Sequence, residues 1–252
     1  MTELSVHGWL VGLVFVAAAA TVLALQFLSA PYGRHEREGW GPTVPSRVGW
    51  ILMEMPTVLV FCAVYAQGEH AWEAVPLVLL GLWQIHYVHR TFIFPFRLRK
   101  SDKRFPLSVA FLAIVFNTVN AYVNARWISH FGVYAPDWFA DPRFVFGTAL
   151  FVVGEAINHH ADWVLLHLRA PGETGYKIPT GGLYRWITCP NYFGELLAWT
   201  GWAIAAWSVA GASFAVFTAA NLVPRAFQNH AWYREKFPDY PTERKVIVPF
   251  LF

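Results

Sequence analysis

Charge is scarce in this 252-residue chain, where Asp, Glu, Lys and Arg together make up 14% of the residues. Soluble domains average about 25%. A formal net charge of only +3 gives no ground for a nucleic-acid partner, which needs a basic face. Cysteine is scarcer still. Cys62 and Cys189 cannot build a disulfide framework, and no CxxC pair offers a zinc site. His159 and His160 are adjacent, so on a helix they diverge by about 100° and make poor co-ligands. No metal site is expected. No GxGxxG follows a strand, which removes the Rossmann domain and leaves any dinucleotide to bind among helices. Internal repeats and low-complexity tracts are absent too.

Apolar residues dominate instead. They make up 56% of the chain, with 13 Trp, 10 Tyr and 21 Phe, and the mean hydropathy is +0.37. They fall in long runs, and a spanning helix needs roughly 20 such residues. The sequence predicts an all-α integral membrane protein, a single transmembrane domain over residues 1–252, with spans near 8–29, 47–67, 72–92, 105–126, 143–168, 190–208 and 211–230. The split near Gly211 decides between seven spans and six. The first run lacks a basic segment before it and reads as a retained helix rather than a cleaved signal.

Basic residues alternate between the connecting segments. Arg34, Arg37 and Arg47 precede the second span, and Arg97, Arg99, Lys100, Lys103 and Arg104 follow the third. Arg169, Lys177 and Arg185 follow the fifth, and Arg234, Lys236, Arg244 and Lys245 follow the last. The segments in between hold none within them. Excess Lys and Arg marks the cytoplasmic side, so the N-terminus is expected outside and the C-terminus in the cytoplasm.

Polar residues inside a bilayer are costly and line sites or pair with each other. Glu54 falls about 10 Å inside the second span at 1.5 Å per residue, just before Pro56. Tyr87, with His86, His89 and Arg90, falls at the same end of the third. Glu155, Asn158, Asp162 and Arg169 share one face of the fifth by their spacing of three, four and seven. Asn191 and Glu195 in the sixth, and Arg225, Asn229 and Tyr233 in the seventh, repeat at intervals of four. A lone buried Asn or Glu would only bridge helices. Five helices with polar stripes in one half point to a chamber, built mainly from residues 47–252 and open to the cytosol. Arg169, Lys177 and Arg225 suit the phosphates of a dinucleotide. Glu54 and Tyr87 suit a carbonyl oxygen, which two hydrogen-bond donors would polarise.

Several stretches resemble the steroid 5-alpha-reductases (3-oxo-5-alpha-steroid 4-dehydrogenases). They are LMEMP at 52–56, HYVHRTF at 86–92, GEAINHHADWVLLHLRAPGETGYKIPTGGLY at 154–184, PNYFGELLAW at 190–199 and RAFQNHAWYREKFPDYPTERKVIVPFLF at 225–252. The resemblance implies seven helices with NADPH bound in the cytoplasmic half. It implies hydride transfer to C5 of a 3-oxo-Δ4 steroid and protonation at C4. It places Glu54 and Tyr87 on the substrate carbonyl, and Asn158, Asp162, Arg169, Tyr176, Asn191, Glu195, Arg225 and Tyr233 on the cofactor, with Lys177 and Asn229 beside them. It implies an enzyme of the endoplasmic reticulum or a bacterial inner membrane, whose partners are a steroid-like lipid and the bilayer, with no metal. Met53 stands where steroid-reducing relatives often carry Gln, and Asn229 where they tend to carry His. The alternatives are a reductase of another lipid such as a polyprenol or an enoyl thioester, a membrane methyltransferase of the isoprenylcysteine type, and a non-catalytic scaffold or transporter.

Overall fold

The computed structural model describes residues 1–98, 103–170 and 172–251. Of the expected basic cluster, Arg99 and Lys100 lie outside the described residues. The helices are α1 (Glu3–Phe27), α2 (Ser46–Tyr65), α3 (Ala74–Val88), the single turn α4 (Phe94–Arg97), α5 (Leu107–Arg126), α6 (Pro142–His167), α7 (Pro190–Ala206) and α8 (Val209–Lys236). Seven are long, and each falls on an expected span. Glu3–Phe27, Ser46–Tyr65 and the run Leu107–Phe131 are long and apolar enough to cross a membrane. The last run of the sequence does divide, four residues before Gly211. Trp207 takes a left-handed backbone at φ 42, and Ser208 caps α8 by accepting from the Gly211 amide. Asp141 caps α6 in the same way, accepting from the Arg143 amide. Hydrogen bonds from Arg143 hold the Asp141 carboxyl down at about 2.

Two helices end in wide π-turns, His89–Ile93 after α3 and Trp127–Phe131 after α5. Such turns recur at functional sites because they re-aim side chains. Between helices, β1 (Thr43–Pro45) pairs antiparallel with β2 (Arg104–Pro106), Thr43 opposite Pro106. This pairing ties the entrance of α2 to the entrance of α5.

Lipid is as apolar as a leucine side chain, so helices in a bilayer associate through close packing and polar ties. Both are present. Gly147 and Gly154 of α6 face Gly201 and Gly194 of α7, and a Cβ at Gly154 would lie 2.4 Å from the Ala198 nitrogen. Gly154→Ala is therefore expected to cost about 1–3 kcal/mol. It should lower the melting temperature in detergent, whereas Gly81→Ala, with nothing within 4 Å, should leave it unchanged. Pro56 sits inside α2 and lacks the amide that would close the helix there. Side chains take the neighbouring carbonyls: Asn117 donates to Met53 at 2.6 Å and Thr57 to Glu54 at 2.6 Å. At one end of α1, Glu3 pairs with Arg126 at 2.6 Å. At the other, Gln228 of α8 donates to the Leu25 carbonyl at 2.7 Å. The core is aromatic, with Trp83 against Trp199, Trp202 and Phe214 at ring-centroid distances of 5.1, 5.3 and 5.5 Å.

Candidate active site

Every long helix contributes to one cavity of about 790 Å³, toward the upper end of the ~300–1,000 Å³ range of ligand sites. Its apolar lining includes Ala17, Ala20 and Ala24 of α1, Leu112 and Phe116 of α5, and Phe214 and Phe217 of α8. Its polar lining includes Arg34, His35, Glu54, Tyr87, Arg90, Asp162, Asn191, Glu195, Arg225 and Asn229. A cavity so divided suits a ligand pair, one part hydrocarbon and one part charged.

Glu54 and Tyr87 reach this cavity from α2 and α3. Neither the Glu54 carboxyl group nor the Tyr87 hydroxyl has a hydrogen-bond or ion-pair partner among the described residues. Tyr87 is buried, and its ring is held by Trp83 at 4.9 Å and Trp199 at 5.3 Å. Its hydroxyl is thus aimed by packing rather than by a protein hydrogen bond.

Beside them, Arg90 sits in the π-turn with 13% of its side chain exposed, 3.1 Å from Asp162 and 3.8 Å from Glu195. Trp50 donates to the Arg90 carbonyl at 3.0 Å, and the guanidinium lies 4.9 Å from the Trp50 and Phe94 ring centroids. Asn191 donates to Asp162 at 3.3 Å, and Asn158 donates to the Asn191 carbonyl at 2.9 Å. Asp162, Asn191 and Glu195 therefore meet on the cavity wall through Arg90. Asn158 stands behind the wall as a tie between α6 and α7.

Two further cations face the cavity. Arg225 lies 5.1 Å from the Tyr32 ring and 5.4 Å from the Tyr192 ring, and it donates to Asn221 at 3.2 Å. Arg34 lies 4.7 Å from the Tyr233 ring and 5.2 Å from the Trp232 ring. Its Nη1 is buried without a hydrogen-bond partner among the described residues. Neither guanidinium has a carboxylate partner among the described residues. His35 meets the Asn229 side-chain oxygen at 3.1 Å. Burial lowers the His35 imidazole below its ordinary value, against the opposing pull of that bond. A neutral ring at pH 7 then donates from Nε2. The Asn229 amide points on to the buried Cys189 sulfur at 3.7 Å.

The structure brings together Glu54, Tyr87, Asp162, Asn191, Glu195, Arg225 and Asn229. Tyr233 packs behind Arg34. Arg169, Tyr176 and Lys177 stand off the cavity wall: Arg169 donates to the Gly175 carbonyl at 2.8 Å, Lys177 pairs with Glu173 at 2.6 Å, and Tyr176 bonds Lys103. Sequence reasoning placed Arg90 among the polar residues of the third span but gave it no role, and it read Arg34 as a topology marker only. Tyr32, Arg34 and His35, a cation between two aromatic or imidazole rings in a short polar segment, were the available signal. Among the described residues, no group of three or more His, Cys, Asp or Glu side chains is placed to hold a metal.

The model of the 3-oxo-5-alpha-steroid 4-dehydrogenase family matches residues 103–252. The chain is 43% identical to steroid 5-alpha-reductase DET2 of Gossypium hirsutum over 246 residues, covering 94% of each chain. It is 46% identical to 3-oxo-5-alpha-steroid 4-dehydrogenase 1 of Bos taurus over 231 residues, covering 90% of each. It is 45% identical to the Homo sapiens protein of that name over 223 residues, covering 88% of this chain and 86% of the human one.

Proposed function

This chain belongs to the 3-oxo-5-alpha-steroid 4-dehydrogenase family, the steroid 5-alpha-reductases, and from that premise we propose that it reduces the 4,5 double bond of 3-oxo-Δ4 steroids with NADPH. It is an oxidoreductase with helices fit for a membrane. The reading makes all seven long helices spans of one transmembrane domain, with the N-terminus outside and the cofactor side in the cytoplasm, as the alternating basic segments favour. The membrane is the endoplasmic reticulum in a eukaryote or the inner membrane in a bacterium.

One observation carries the reading. Glu54 and Tyr87 offer one cavity two groups without hydrogen-bond partners among the described residues, beside an apolar wall. In the proposed site, Glu54 and Tyr87 donate to the C3 carbonyl oxygen. Negative charge grows on that oxygen when C5 is attacked, and donors already fixed in place stabilise it. The Trp83 and Trp199 rings hold Tyr87 in position for this. Residues of α1, α5 and α8 bury the steroid rings, and Met53 adds an apolar side chain to the wall.

The polar lining fits a dinucleotide. Arg34 and Arg225 have no carboxylate partner among the described residues, and a guanidinium fork matches phosphate oxygens. Asn191, Glu195 and Asn229 offer donors and acceptors for amide and ribose. Asp162 is held for the same task by Arg90, while Asn158 and Tyr233 brace these residues from behind. Arg169, Tyr176 and Lys177 lie on the adjoining loop, where they would meet the outer phosphate end. When bound, NADPH supplies the hydride.

Purified protein in detergent, given NADPH and a panel of 3-oxo-Δ4 steroids, polyprenals and enoyl thioesters, tests the proposal. Steroid-dependent NADPH oxidation is expected. Oxidation with only another lipid of the panel, or thermal stabilisation by S-adenosylmethionine but not by NADPH, would overturn it. Arg225→Ala removes a charge-assisted contact worth about 1.5–3 kcal/mol. It should weaken NADPH roughly tenfold to a hundredfold in a binding titration and leave steroid affinity nearly unchanged.

A further inference from the structure

Packing aims Tyr87, but the Glu54 carboxyl group has no hydrogen-bond or ion-pair partner among the described residues to aim it. Its direction is set by the backbone of α2, and the hydrogen-bond ladder of that helix is interrupted two residues later. Pro56 has no amide to give the Leu52 carbonyl, so the turn that carries Glu54 is prone to bend. Three side chains take hold of it. Nδ2 of Asn117 on α5 donates to the Met53 carbonyl at 2.6 Å, the Thr57 hydroxyl donates to the Glu54 carbonyl at 2.6 Å, and the Trp83 indole of α3 donates to the Thr57 carbonyl at 2.9 Å. Asn117, Thr57 and Trp83 are all buried. Trp83 stands one turn before Tyr87 and packs on its ring at 4.9 Å. Both donors are therefore referred to one stretch of α2, residues 53–57: Tyr87 through Trp83, and Glu54 through its own backbone.

Asn117 is the tie that comes from the hydrocarbon side of the cavity. Leu112, Ala113 and Phe116 of α5 line that side, and Asn117 is the polar member of the row. A buried amide in an apolar wall is costly unless it is bonded, and this one bonds the backbone next to Glu54. The Met53 side chain packs on Phe105 and on Ala110 of α5 as well. One hydrogen bond thus joins the wall that would bury the steroid rings to the residue that would grip the ketone. Resting on that reading, we propose that Asn117 is a positioning residue for Glu54. It fixes the turn weakened by Pro56, so that the Glu54 carboxyl group and the Tyr87 hydroxyl meet the C3 carbonyl oxygen together. No proton or electron passes through it. Donors stabilise an oxyanion only where they are already held at the place the charge develops, and a misplacement of about 1 Å costs on the order of a hundredfold.

Asn117→Leu tests this, with similar volume and no donor. Turnover should fall about tenfold to a hundredfold, with steroid KM and NADPH Kd nearly unchanged. Added to Glu54→Gln, the same change should cost little further, because a residue that acts only through Glu54 has no effect once that carboxyl group is gone. Losses that multiply, or NADPH affinity lost in parallel with turnover, would overturn the role. Thr57→Val, off the cavity wall, removes the hydroxyl on the Glu54 carbonyl and should lower turnover by less, which keeps the test available if Asn117→Leu does not fold. A 3-oxo-Δ4 steroid labelled with carbon-13 at C3, bound with NADP+ so that no hydride passes, reads the contact itself. Hydrogen bonds to the carbonyl oxygen move the C3 resonance downfield. Wild-type protein should show that shift and both variants only part of it. The full shift in the variants would overturn the positioning role alone. A C3 resonance that wild-type protein leaves at its position in empty micelles would overturn the carbonyl contact, and the role of Asn117 with it.

Discussion

Glu54→Gln should lower kcat for steroid reduction by about two to three orders of magnitude, the usual effect of removing one donor from a developing oxyanion. The change keeps side-chain volume. It also leaves no protein group unpaired, because the carboxyl group has no partner among the described residues. The loss therefore reports the contact to ligand. An amide is a weaker donor than a carboxylic acid and has no proton to give. NADPH affinity should stay within about twofold of wild type, since Arg34, Arg225 and the Arg90 cluster are untouched. Tyr87→Phe should act in the same direction but more mildly, with Glu54 still in place. Steady-state kinetics and a nucleotide titration on the same preparation separate the two quantities. Equal loss of NADPH affinity in Glu54→Gln and Arg225→Ala would argue against the division of roles.

Arg90→Leu should do something different: reduce folded protein and nucleotide binding together. Arg90 holds Asp162 at 3.1 Å and Glu195 at 3.8 Å in a setting where all three side chains are largely buried. Its removal leaves two carboxylates close to each other and to Glu54, with no counter-charge between them. Breaking a buried ion pair from one side costs about 3–5 kcal/mol. The melting temperature and the yield of monodisperse protein should both fall, before any assay of turnover. Arg90→Lys should recover part of the stability. A single ammonium supplies the charge but not the fork that spans two acids on α6 and α7. Wild-type stability in Arg90→Leu would contradict the central place given to this residue.

The helices were legible because their signal is composition over a long window. The runs at 8–29 and 47–67 are almost wholly apolar, with Glu54 the one acidic residue in them. The shorter α3 and α7 were also found, although on length and apolar character alone only Glu3–Phe27, Ser46–Tyr65 and Leu107–Phe131 qualify among the described residues. The polar intervals of four in α7 and α8 did bring Asn191, Glu195, Arg225 and Asn229 to one cavity. Spacing shows which residues share a face, and these faces turn inward.

What escaped has a common cause. Arg90 depends on the π-turn at His89–Ile93, a change of register that leaves no mark in hydrophobic periodicity. Arg34 and His35 sit in a single 3-10 turn, Gly33–His35, between α1 and α2, where they meet Tyr233 and Asn229, residues about 200 positions later. Asn158 shares a face with Asp162, yet its amide is engaged by the Asn191 carbonyl. Spacing on one helix carries no information about what the neighbouring helix offers. Met53 and Asn229 are clearer in the structure than in the sequence. Met53 lies on the cavity wall and accepts from Asn117 through its carbonyl, while Asn229 bonds His35.

The destination of the transferred hydrogen tests the whole account most directly. Wild-type protein would be given a 3-oxo-Δ4 steroid and NADPH deuterated at its transferable position, and the product examined by mass and NMR spectroscopy. The account predicts a 5-alpha-reduced 3-oxo steroid with deuterium at C5. The same reaction with ordinary NADPH in heavy water should place deuterium at C4. Deuterium from the cofactor at any other carbon, or NADPH bound with no label transferred to the steroid, would contradict it.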